Sequence, residues 1–109
     1  AGQGIIESYI HPGKKIGVMV ELRCESDFVA KSEDFQKLAH ELCLQIAAIS
    51  PEELDELHSS SPFANARVVE LLGQPWIKDE SKNIKELIEE HIAKFGENII
   101  LKRFIRYEL

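Results

Sequence analysis

Basic charge is in deficit in this sequence. Thirteen lysines and arginines face nineteen aspartates and glutamates, a net charge of −6. A surface that tracks nucleic-acid phosphates needs clustered Lys and Arg. Here they are scattered, except in the closing LKRFIRYEL, where they alternate with apolar residues as on the wet face of a strand. Direct nucleic-acid binding is therefore not expected. No apolar run reaches the ~18 residues that a membrane-spanning helix requires, and no basic-then-apolar leader marks a secretory signal. The first residue is Ala1 rather than Met, as in a trimmed or excised piece. Cysteine is sparse too. Cys24 and Cys43 lack the C-x-x-C spacing of a zinc site, and histidines 11, 40, 58 and 91 show no ligand spacing with them or with each other. The expectation is two small buried thiols in a reducing compartment, with no metal and no cofactor.

What is present reads as one domain over 1–109, with no long linker and no internal repeat. GIIESYI and KIGVMVELRCE read as two strands joined by His11-Pro12-Gly13-Lys14, a Pro-Gly turn. In the second strand Ile16, Val18, Val20, Leu22 and Cys24 share one face, and Gly17, Met19, Glu21 and Arg23 share the other. From Ser32 the period lengthens. Phe35, Leu38, Ala39, Leu42, Ile46 and Ile49 form a helical stripe that stops before Pro51, with Glu33 and Asp34 in the first turn. SPEELDELH predicts a short acidic helix, ANARVVELLG a second one ended by Gly73, and QPWIKDESK a loop. NIKELIEEHIAKFG predicts the last helix, capped by Gly96. Its stripe is Ile84, Leu87, Ile88, His91, Ile92 and Phe95, with His91 a packed, hydrogen-bonded imidazole.

NIILKRFIRYEL predicts a third strand. Ile99, Leu101, Ile105, Tyr107 and Leu109 are expected on one face, with Phe104 an exposed apolar spot among the polar residues of the other. The order strand, strand, helices, strand gives an α+β fold in two layers, a three-stranded antiparallel sheet packed on helices. Such a sheet has two edges, and an edge beside an apolar spot favours self-association.

The stretch CESDFVAKSEDF, residues 24–35, holds two candidate N-caps, Ser26 and Ser32. An unbroken helix from Asp27 would put Phe28 on the stripe of Phe35 and Leu42, in the core. A break at Lys31-Ser32 would make SDFVA a separate turn with side chains free to point outward. Periodicity alone leans to the unbroken helix. A cysteine hydrolase is disfavoured, because Glu25 and Asp27 flank Cys24 closely and reactive thiols need an electropositive setting.

VMVELRCESDFVAKSEDFQKLAHELCLQIAA resembles the signature of the elongation factor Ts family, the guanine-nucleotide exchange factors of translation. GIIESYIHPGKKIGV and QPWIKDESKNIKELIEEHIAKFGENIILKRFIRYEL resemble the segments before and after it, so the likeness runs through nearly the whole chain in order. Arg23 stands where the family usually has Asn, and Ser26 where it has Thr, while Asp27 and Phe28 are retained. The likeness is to the core domain. The family's N-terminal helical module has no counterpart, and residues 51–75 replace its long central insertion.

The resemblance implies a protein without enzymatic chemistry of its own, with the GTPase elongation factor Tu as partner. It implies that Phe28 wedges beside that GTPase's magnesium and phosphate site with Asp27 as polar companion, Ser26 and Val29 setting the turn. It also implies a bacterial cytoplasm or an organellar matrix or stroma. The alternative it leaves open is a dimerisation or interaction module without exchange activity of its own.

Overall fold

The computed structural model of the chain describes residues 2–51 and 66–109. Strands β1 (Gln3–Ile10) and β2 (Ile16–Cys24) form the expected antiparallel hairpin, with Gln3 opposite Cys24 and Ile10 opposite Gly17. The connecting loop turns where Gly13 takes φ 95° and Lys14 takes φ 61°. Glycine bears that left-handed backbone at no steric cost, so Gly13 is where the chain can reverse. Strand β5 (Ile100–Glu108) pairs with the other side of β2, which gives the order β1-β2-β5, antiparallel throughout. This is the α+β architecture that the order of elements implies.

The helices cover one face of that sheet. α1 (Asp27–Ala30) is a single turn, and α2 (Glu33–Ala48) follows after a break at Lys31-Ser32. α3 spans Ala66–Gly73 and α4 spans Ile84–Phe95. Val18, Val20, Leu22 and Cys24 meet Phe35, Leu38, Leu42, Cys43 and Ile46 of α2, with Leu71 of α3 and Ile84, Leu87 and Ile88 of α4 completing the core. α4 opens on a capping box between Asn83 and Glu86 and closes on Gly96 at φ 68°, a left-handed C-cap. His91 is half-buried and its Nδ1 lies 2.9 Å from the Leu87 carbonyl, the hydrogen-bonded packing expected of it. Both cysteines are fully buried free thiols. Burial pushes the Cys43 thiol up to about 12 and raises Cys24 as well, with Glu97, Asp27 and Glu25 adding to the effect at Cys24. Neither is set up as a nucleophile.

Three sequence expectations differ from the structure. Residues 75–83 are not a plain loop: β3 (Pro75–Trp76) and β4 (Asp79–Asn83) pair as a small antiparallel ribbon. Its anchor is the buried Gln45 of α2, whose Nε2 donates to the Pro75 carbonyl at 3.0 Å and whose Oε1 accepts from the Ile77 amide at 2.9 Å. A polar side chain so far away in sequence leaves no mark on the local pattern. Ile49 is the exposed C-cap of α2 rather than a core residue.

The third difference lies in β5, which carries a bulge. Leu22 faces Leu101 but Glu21 faces Arg103, so Lys102 is the extra residue. A one-residue bulge reverses which side chains face the core. Phe104 therefore packs against the core, while Ile105 and Tyr107 are exposed. Arg106 turns inward as well. Its Nε donates to the Ile46 carbonyl at 3.0 Å and its Nη2 to the Ala47 carbonyl at 3.1 Å, which satisfies the C-terminal end of α2. The acidic helix expected from SPEELDELH lies largely outside the described residues.

Candidate functional site

Ser26 is where β2 ends and α1 begins. Its backbone is extended, and its hydroxyl oxygen accepts from the Val29 amide at 3.2 Å. That cap starts a helix of four residues. Ser32 then starts α2 in the same way, accepting from the Phe35 amide at 3.2 Å while its hydroxyl donates to the Val29 carbonyl at 2.7 Å. Two caps six residues apart leave no unbroken helix, so Phe28 is not carried onto the stripe of Phe35.

The result is a short turn with a buried side and an outward side. Val29 and Ala30 are 5% and 3% exposed, and they anchor the turn in the core. Phe28 is 86% exposed. Asp27 is exposed beside it and pairs with Lys31 at 2.9 Å, one helical turn on. That ion pair lies in water and contributes little stability. The four sequence-predicted residues thus split by role: Asp27 and Phe28 are on the surface, Ser26 caps the turn, and Val29 is under it.

The turn is also held from across the molecule. Beyond Cys24 the sheet ladder stops, which leaves the amides of Glu25 and Ser26 without strand partners. Glu97, just past the Gly96 cap of α4, supplies the acceptor. Its Oε1 takes the Glu25 amide at 3.2 Å and the Ser26 amide at 3.0 Å, and its Oε2 takes the Ser26 hydroxyl at 2.6 Å. The hydroxyl contact, joined by the two amides, holds the Glu97 carboxyl below its ordinary value. In return Glu25 Oε2 accepts from the Asn98 amide at 2.5 Å. The sequence pattern does not single out Glu97. Nothing local in the sequence ties it to a serine 71 residues earlier.

Arg23, the departure next to the turn, donates through Nε to Glu21 at 2.7 Å. Arg103 binds the other oxygen of the same carboxylate at 2.7 Å. These two bonds hold the Glu21 carboxyl below its ordinary value. Among the described residues, no group of His, Cys, Asp and Glu is placed to hold a metal ion. No helix among them is long and apolar enough to cross a membrane.

Comparison with known proteins shows the family of the chain. The family model described as elongation factor TS matches residues 1–65 and, overlapping, 25–109. The chain is 38% identical to elongation factor Ts of Coprothermobacter proteolyticus over 140 aligned positions, covering all of the chain and 71% of that relative. It is 39% identical to that of Desulforamulus reducens, covering 64% of it, and 38% identical to that of a Synechococcus, covering 50%. The alignments are longer than the chain's 109 residues, so these relatives carry segments without counterpart here. The chain spans between half and about seven-tenths of their lengths. With the family model and these relatives together covering every residue, the chain belongs to the elongation factor Ts family.

Proposed function

We propose that this chain binds the GTPase elongation factor Tu and promotes GDP release, with the Asp27-Phe28 turn entering beside the nucleotide's magnesium and phosphate site. The observation that carries the reading is the near-complete exposure of Phe28 on a turn whose next two residues are buried. An aromatic ring left in water at a fixed position is a ready interface anchor, large in area and low in entropy cost. Burying it against a partner recovers roughly 1.5–3 kcal/mol. A GTPase holds its nucleotide largely through Mg²⁺ and a phosphate-cradling loop. A ring wedged among the elements that support them weakens that hold. Coupling between sites is reciprocal, so bound nucleotide must weaken binding of the factor by the same factor. The chain itself makes and breaks no bond. The test is loss of fluorescent GDP from elongation factor Tu with and without the chain. Faster release on adding the chain supports the reading, and an unchanged rate at saturating chain sinks it.

A second reading, self-association without exchange activity, is favoured by the outer face of the sheet. Ser8, Met19 and Ile105 lie side by side across the strands, as do Ile10, Gly17 and Tyr107. Ile6, Ile10, Met19, Ile105 and Tyr107 are all exposed there. That is a run of apolar surface on an open sheet. Sedimentation velocity separates the two readings: a monomer at high micromolar concentration removes the second.

A further inference from the structure

We propose that Glu97 is a positioning residue for the Phe28 wedge, its carboxylate clamping the junction from which the ring projects. The proposal rests on the exchange reading above and adds to it a residue from the other end of the chain. α1 is one turn long, so it cannot hold its own direction by internal hydrogen bonds. Its direction is set by what grips its two ends. At the far end Val29 and Ala30 are buried and Ser32 binds the Val29 carbonyl. At the near end every polar group of Ser26 is taken. The amide and hydroxyl donate to Glu97, the hydroxyl oxygen accepts from Val29, and the carbonyl accepts from the Cys24 thiol at 3.3 Å and from the Ala30 amide at 3.2 Å. Glu97 is the one of these partners that comes from outside residues 24–30, and it grips two successive residues at once.

The grip is itself oriented. Gly96 in the left-handed region reverses the chain at the end of α4, and Glu25 holds the Asn98 amide. Two carboxylates therefore lace residues 25–26 to residues 97–98 in opposite directions. The clamp ties the wedge to the end of α4, which is packed in the core through Ile84, Leu87 and Ile88. A partner that presses on the ring meets resistance from the body of the domain rather than from a pivoting loop. Such preorganisation is what converts an exposed side chain into an effective wedge.

The experiment is a double-mutant cycle on stimulated release of fluorescent GDP from elongation factor Tu at saturating chain. It uses Glu97→Ala, Phe28→Ala and the pair. Glu97→Ala is expected to lower the saturating rate about tenfold, since hydrogen bonds to a charged group are individually strong. In the Phe28→Ala background it is expected to change nothing further, because the wedge it positions is gone. Glu97→Gln keeps one carbonyl oxygen for the amides but cannot accept the serine proton on the other atom, so its rate falls between wild type and Glu97→Ala. It carries the comparison if the alanine variant unfolds. An equal loss in both backgrounds means a merely structural role and overturns the proposal, as does no loss in the wild-type background. If the Phe28→Ala chain itself stimulates GDP release at the wild-type rate, the ring is no wedge and the positioning role falls with it, whereas the exchange reading fails only if the unaltered chain leaves the release rate unchanged.

Discussion

Phe28→Ala is expected to cut stimulated GDP release by about thirtyfold or more while leaving the fold as it is. The two halves of that expectation come from one number. At 86% exposure the ring has almost no contacts to lose within the chain, so folding stability should move by no more than about 0.5 kcal/mol. Its helix propensity even improves, since alanine is the better helix former. At an interface the same ring belongs with the few aromatic anchors whose truncation costs ~2–4 kcal/mol, a loss of about thirtyfold to a thousandfold. Thermal unfolding followed by circular dichroism checks the first half, and release of fluorescent GDP from elongation factor Tu checks the second. A variant that stimulates release at the wild-type rate would show that the ring has no wedge role. A variant that unfolds at low temperature would show that the ring belongs to the core after all.

Phe35→Ala is expected to do the reverse. Phe35 lies seven residues on, is fully buried, and packs edge-on against Phe95 with ring centroids 6.4 Å apart. Emptying that space removes the ring's transfer free energy and leaves a cavity between α2 and α4, at a cost of about 3–5 kcal/mol. Domains of this size have only ~5–15 kcal/mol of stability in total. Each kcal/mol lowers the melting temperature by roughly 4–8 °C, so a fall of about 12 °C or more is the expected reading. Release of GDP measured below that temperature should persist, because the wedge and its clamp do not use this side chain. A destabilisation under about 1 kcal/mol would mean that the core closes over the gap far better than packed interiors usually do.

Much of the frame is decided by the sequence alone. The period-two alternation of β2, the Pro-Gly turn before it and the helical stripes of α2 and α4 all state their own structure, because each is a pattern within one element. The pair Phe28 and Phe35 is different. Seven residues is nearly two helical turns, so periodicity puts both rings on one stripe and cannot separate them. What separates them is which of two serines caps a helix. Both do, and the burial of Val29 and Ala30 against the sheet holds the break between them.

Tertiary structure also decided the phase of β5. One extra residue at Lys102 turns Phe104 and Arg106 inward and Ile105 and Tyr107 out, a choice made by pairing with β2 and by the need to satisfy the last carbonyls of α2. It alone brought Glu97 to Ser26. Periodicity and capping act over a few residues, whereas a clamp between residues 71 positions apart exists only once the sheet has brought the end of β2 alongside the end of α4.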